Sequence, residues 1–429
     1  MGRLQTMTVG GALRVAVVLL VPSFSVAQNK NVCLDCHSKL QGSLKVTAEQ
    51  DAAAVHGHKG MSCVTCHGGN MQDEARAKAA GSGFRGHISR EQIPQLCGSC
   101  HADVNSMKRF NPSLRTDQLA EYHTSVHGIQ FAKGDVHVAV CTDCHGVHEI
   151  RAGSDPRSPV HPLNVSKTCQ RCHSDAALMK TYRIAATQYA DYTDSVHHEA
   201  MVVRGDLSAP TCSTCHGSHG AVPPGGGSVA NVCSRCHVLQ AQFFDESPHK
   251  AVFAEGCATC HSSHKIKHPD DNFVSLAAGS ACGECHTKDD DSGRVAEAIH
   301  GRLHKFEVQV ADARVLLARA ETSGMDVADA QVLLGQANDS LTKARVRVHT
   351  ARFEKVNAEL DAGSKPAVAA LSAGEAAMKE RSFRRRIIFV PGIAILAVVL
   401  ALGFYIRELE RTEQGSQRPS EDADRKMAA

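Results

Sequence analysis

The sequence predicts a mostly α-helical chain. An array of short helices and loops comes first, then a long helical hairpin, then one transmembrane helix. Three observations carry this. All 18 cysteines and 23 of the 26 histidines fall within residues 33–286, so one region is built from repeated Cys/His units. Aromatic residues make up only 4% and Trp is absent, which leaves a conventional core short of large rigid side chains. Beyond Cys285, Ala, Leu and Val recur at helical spacing and lead into an uncharged run at residues 387–406. The net charge of +2, from 47 basic and 45 acidic residues, leaves no footprint for nucleic acid. The composition excludes a plain cytosolic enzyme and an ordinary disulfide scaffold.

Residues 1–27 read as a secretory signal. Arg3 and Arg14 are basic, no acidic residue precedes Asp35, residues 15–21 are apolar, and Ser25-Val26-Ala27 is a small-x-small cleavage site. An uncleaved anchor is the alternative, but spanning needs about 20 apolar residues.

Residues 28–293 hold nine Cys-x-x-Cys-His units that use every cysteine. They are Cys33, Cys36 and His37; Cys63, Cys66 and His67; Cys97, Cys100 and His101; Cys141, Cys144 and His145; and Cys169, Cys172 and His173. Then follow Cys212, Cys215 and His216; Cys233, Cys236 and His237; Cys257, Cys260 and His261; and Cys282, Cys285 and His286. Chance would supply roughly 0.05 such units in this composition, and the spacing is the attachment signature of c-type haem. Two thiols reach the two vinyl groups on one porphyrin edge, and the adjacent His binds iron from the proximal side. Zinc ribbons use Cys-x-x-Cys pairs but do not demand a His after each. Redox Cys-x-x-Cys pairs occur singly, in a βαβ context. The cofactor expected is therefore nine covalently attached haems c. At about 28 residues per haem, porphyrins would have to pack on each other and form the core, which accounts for the scarce aromatics.

The units fall into one leading site and four pairs, an internal duplication. Three pairs open with Cys-x-x-Cys-His-x-x-His, placing His148, His219 and His264 three residues after a proximal His. A further His precedes each pair: His56, His127, His197 and His249. The first pair has Asn70 where the others have the trailing His, and His87 is the candidate substitute. These eight are the candidate distal ligands. The ninth is taken as His300, with His304 and His349 as alternatives. His58, His123, His137, His161, His198 and His268 read as surface residues or propionate partners. Enough histidines exist for bis-His, low-spin, low-potential irons, and Met ligation is not required. Spacing does not say which distal His serves which iron.

Residues 294–386 read as a helical hairpin or stalk. Ile299, Leu303, Phe306 and Val310 form one seam, and Leu334, Ala337, Leu341, Ala344 and Val348 another. Gly324 suits a helix C′ position and Asp326 can cap the next helix. His300 and His304 share a face at i, i+4 spacing.

Residues 387–406 have the length of one membrane span. Lys379, Arg381, Arg384, Arg385 and Arg386 precede the run and Arg407 and Arg411 follow it. The positive-inside rule would keep the front flank in the cytoplasm, but long exported domains translocate largely regardless of charge. The basic flank then reads as a headgroup contact or a solvated helix end. Residues 407–429 read as a short charged tail.

On these motifs, residues 33–304 resemble the multihaem c-type cytochromes of anaerobic and respiratory electron transfer. The resemblance implies a periplasmic electron carrier held at the cytoplasmic membrane. Its donor would be a quinol-oxidising membrane subunit or quinol itself. Its acceptor would be another cytochrome or a terminal reductase. Membrane-anchored quinol dehydrogenases of nitrate and nitrite respiration are similar in logic, but they carry an N-terminal anchor and fewer haems, which counts against direct quinol oxidation here. Octahaem hydroxylamine oxidoreductases and multihaem nitrite or tetrathionate reductases are similar in haem density and in a C-terminal helical bundle. They imply the alternative, an enzyme acting on a small nitrogen or sulfur compound. Several of them replace one proximal His by Lys or leave one iron face open, whereas all nine units here end in His. Tyr122, Tyr182, Tyr189 and Tyr192 remain candidates for a crosslinking Tyr. No catalytic residue is assigned.

Overall fold

The computed structural model describes residues 30–224 and 226–416. The secretory signal expected at residues 1–27 and the part of the expected tail beyond residue 416 lie outside the described residues. Among the described residues the elements are α-helices and 3-10 turns, with no strand. The chain divides into two compact units, Met1–Asn164 and Val165–Ala429.

The first unit is built of helices four to nine residues long. Helices this short are marginal alone, and side-chain caps mark the starts of several. Thr47 and Gln50 form a reciprocal capping box on Ala48–Ala53. Asp103 accepts from the Asn105 and Ser106 amides at the start of Val104–Phe110. The second unit repeats that cap two residues after its own motif. There Asp175 accepts from the Ala177 and Leu178 amides ahead of Ala176–Thr181. Met107 and Met179, at matching places in these two helices, are each 4% exposed.

The second unit also contains the stalk. Its first helix, Asp291–Glu321, is capped by Asp290, which accepts from the Gly293 amide at 2.6 Å. It ends where Gly324 adopts φ +77°, a conformation open to glycine. Asp326 accepts from the Ala328 amide at 3.1 Å, and the second helix runs Ala328–Arg347. A 3-10 turn, Val348–Thr350, leads to the third helix, Phe353–Ser416. Leu303, Phe306, Val310 and Leu317 of the first helix pack with Ala337, Leu341 and Ala344 of the second and Val356, Leu360 and Ala367 of the third. The seams read from the sequence therefore meet one another. The third helix continues past this core, and its residues 387–406 are exposed throughout. It is long and apolar enough to cross a membrane.

Candidate haem-binding sites

Each attachment motif forms a helical turn. Four open a helix: Cys63–His67, Cys141–His145, Cys212–His216 and Cys257–His261. Three close one: Val32–His37, Ile93–His101 and Pro162–His173. At the other two, the His237 and His286 amides donate to the carbonyls of Cys233 and Cys282 at 3.0 and 2.8 Å, again one helical turn. A turn of this pitch puts the first Cys and the His one above the other on a single face.

After the four opening turns the chain reverses through positive φ at Gly68, Gly146, Gly217 and Ser262. The reversal brings the following segment back over the proximal ring. His67 Nδ1 lies 3.2 Å from the Gly86 carbonyl and His216 Nδ1 lies 3.2 Å from the Val222 carbonyl. His37 Nδ1 lies 2.7 Å from the Leu44 carbonyl. His286 differs, with Nδ1 3.3 Å from Asp290 Oδ1. Engaging Nδ1 leaves Nε2 for a metal and fixes the ring's orientation.

Proximal rings in both units face a second imidazole. In the first unit His101 faces His56 with ring centroids 6.0 Å apart, and His67 faces His148 at 6.2 Å. In the second unit His237 faces His197 at 6.3 Å, His216 faces His264 at 5.9 Å and His286 faces His249 at 6.2 Å. His261 faces His349 at 6.1 Å. Two ring nitrogens, each about 2 Å from one metal, place the centroids about 6 Å apart. The gaps therefore fit one iron between each pair. Burial pushes the imidazoles of His56, His148, His197, His249, His264 and His349 below their usual range, which favours the neutral form that binds metal.

The pairs follow a pattern that spacing did not reveal. The His upstream of a pair faces the second proximal ring of that pair: His56 with His101, His197 with His237, His249 with His286. The His three residues after an opening motif faces the first proximal ring of an earlier pair: His148 with His67, His264 with His216. His127, at the start of Val126–Ala132, matches His197 at the start of Val196–Val202. His219 holds the position of His148 and His264 after its own motif. His87 is exposed, and both proximal rings of its pair face other histidines. His300 and His304 face one another on the first stalk helix at 6.3 Å.

The cysteines link the sites in chain order. Within the first unit Cys33 lies near Cys63 and Cys66 near Cys100, and the Cys97 and Cys141 thiols hydrogen-bond. Within the second unit the Cys169 and Cys212 thiols hydrogen-bond, as do those of Cys233 and Cys257, while Cys215 lies near Cys236 and Cys260 near Cys285. Sites joined at their cysteines would hold their haems as close neighbours. Among the described residues no group of three or more His, Cys, Asp or Glu could hold a bare metal ion.

Two tyrosines acquire a role that the motifs alone did not indicate. The Tyr122 hydroxyl donates to the Ala139 carbonyl and the Tyr192 hydroxyl to the Pro210 carbonyl, both at 3.1 Å. Each bond pins the segment entering an opening motif. Ser125 and Ser195, three residues on, donate to the carbonyls of those tyrosines at 2.6 Å and cap the next helix. The repeated Tyr-x-x-Ser-Val-His string carried this signal.

Motif turns, opposed imidazoles and linked cysteines fit the class of multihaem c-type cytochromes, and sequence comparison supports that class. Over 200 residues the chain is 22% identical to the C-type polyheme cytochrome OmcB of Geobacter sulfurreducens strain DL-1 / KN400. It is equally similar to the protein of the same name from strain ATCC 51573 / DSM 12127 / PCA. The match covers 44% of this chain and 20% of each relative, so the chain spans about a fifth of the length of the curated relatives it matches. No family model and no solved structure matches.

Proposed function

We propose that this protein is an exported nine-haem cytochrome c, anchored by one C-terminal span. In this reading it passes electrons along bis-His haems between a quinol-linked membrane donor and a periplasmic or outer acceptor. The observation that carries the reading is the set of opposed imidazoles within the haem region, each about 6 Å from a proximal ring. An iron held between two such imidazoles would have no coordination position left for a substrate, which favours transfer over catalysis.

When bound, haem supplies a one-electron couple at each iron. The chain's residues do the rest. The cysteine pairs set the order of neighbours, so the route follows the sequence within each unit. Nδ1 bonds to carbonyls orient the proximal rings. The Asp290 carboxylate beside His286 would make that ring a stronger donor and lower the potential of a haem held there. The span starts about 50 Å along the third stalk helix from Phe353. That length supports an anchor served by a separate quinol-oxidising subunit.

The test is a haem count by pyridine haemochrome with electron paramagnetic resonance of the oxidised protein. Nine low-spin haems per chain are expected. A count well below nine, or a full-occupancy high-spin signal with turnover of nitrite or hydroxylamine, would overturn the reading. Stopped-flow reduction by a quinol analogue, in membranes with and without other subunits, tests the donor.

A further inference from the structure

We infer that His349, carried by the stalk, is the sixth ligand of the iron attached through Cys257, Cys260 and His261, and that this bond locks the hairpin to the haem region. The inference rests on the haem reading above and extends it to a residue outside the motif array.

The pattern of pairs creates the need. The first proximal ring of a pair faces a His from a later opening motif, as His148 faces His67 and His264 faces His216. His261 belongs to the pair nearest the stalk, and residues 287–429 hold no cysteine. The ring opposite His261 is that of His349, at 6.1 Å with the planes 25° apart. His349 Nδ1 lies 2.9 Å from the Val346 carbonyl. With that bond made, Nε2 is the nitrogen left for a metal, as on the other ligating rings.

The surroundings hold His349 in place. It sits in the three-residue turn between two long helices. The Thr350 hydroxyl donates to the Arg347 carbonyl at 2.8 Å, and Ala351 takes φ +50°. Arg345, one turn earlier, forks onto buried Asp271 through two contacts of 2.8 Å. Phe273, two residues from Asp271, stacks on His261 at 5.0 Å. The proximal ring and its partner are thus fastened by the same joint. The notable alternatives on the stalk, His300 and His304, face each other instead.

The experiment uses full-length holoprotein carrying His349→Ala, His300→Ala, His304→Ala or, as a positive control, His264→Ala. Electron paramagnetic resonance should show one haem's worth of high-spin signal in His349→Ala and in His264→Ala, and none in the other two. Hydrogen exchange at residues 345–353 should speed up only in His349→Ala. His349→Met keeps an apolar side chain that can ligate. It should stay low-spin with one potential raised, which gives a reading even if the alanine variant fails to fold. High-spin signal from His264→Ala with none from His349→Ala, or with His349→Met unshifted, overturns this inference alone. Absence of haem, or silence in His264→Ala as well, overturns the parent reading.

Discussion

The backbone amide of Val55 donates to the carbonyl of Ile150 over 2.8 Å, and the amide of Val196 repeats the bond to Ile266 over 2.9 Å. Val55 and Val196 each precede an upstream His, while Ile150 and Ile266 each lie two residues after a trailing one. One bond therefore brings together His56 with His148, or His197 with His264, although the two rings face different proximal partners. On the haem reading, this interlock would let a chain with little protein per site place an imidazole opposite His67 and His101, or opposite His216 and His237.

His148 rather than His87 should serve the site at His67. Replacing His148 with Ala should convert one haem to high spin and shift its potential, and replacing His87 should leave the spectrum unchanged. Electron paramagnetic resonance of the two variants decides between them. A spin change in His87→Ala alone would reverse the assignment.

The interlock in the second unit is reinforced by Asp194, which pairs with Lys265 at 2.8 Å and Lys267 at 2.6 Å. Lys265 and then Lys267 hold its carboxyl down to about 2. A carboxylate with a depressed folded pKa contributes stability above the usual carboxylate range and loses it as pH falls toward that value. The thermal midpoint of the wild type should exceed that of Asp194→Asn at neutral pH. The gap should close as pH drops from about 4 to about 2, and should also narrow in high salt. A gap independent of pH would exclude this role.

Ser262 occupies φ +61°, ψ −178°, where the matching positions after the other opening motifs are Gly68, Gly146 and Gly217. That region is essentially glycine-only and costs other residues about 1–3 kcal/mol. Ser262→Gly relieves the strain but adds unfolded-chain entropy of about 0.5–1 kcal/mol. A net gain of about 1 kcal/mol in denaturant unfolding is expected.

Two stalk glycines should respond oppositely to alanine. A Cβ on Gly363 would stand 2.7 Å from Cζ of Phe306, which is fully buried and has no room to move. Gly363→Ala should cost about 1–3 kcal/mol as overpacking. A Cβ on Gly301 meets nothing within 4 Å, so Gly301→Ala should stabilise its helix by about 0.5–1 kcal/mol. Urea titrations of both variants check the contrast.

Much of the architecture was legible because it is written in local spacing. Cys-x-x-Cys-His closes within one helical turn, so thiols and proximal ring share a face wherever the string occurs. The seam from Ile299 to Val310 repeats at helical spacing and faces the core for the same reason. Gly324 and Asp326 mark the hairpin bend through backbone geometry and capping. The string Tyr-x-x-Ser-Val-His repeats at Tyr122 and Tyr192, but the role of these tyrosines lies in bonds to Ala139 and Pro210, which need a chain reversal that spacing does not encode.

The sequence by itself determined the attachment turns, the proximal histidines, the pool of candidate distal histidines and the helical stalk, because each depends on residues within a turn or two of one another. Only the tertiary structure decided which imidazole faces which. His148 reaches His67 from 81 residues away and His349 reaches His261 from 88, across backbone bonds such as Val55 to Ile150 and side-chain joints such as Arg345 to Asp271. A facing pair is a relationship between separate chain segments. It is set by how those segments pack, which the periodicity of neither segment can express.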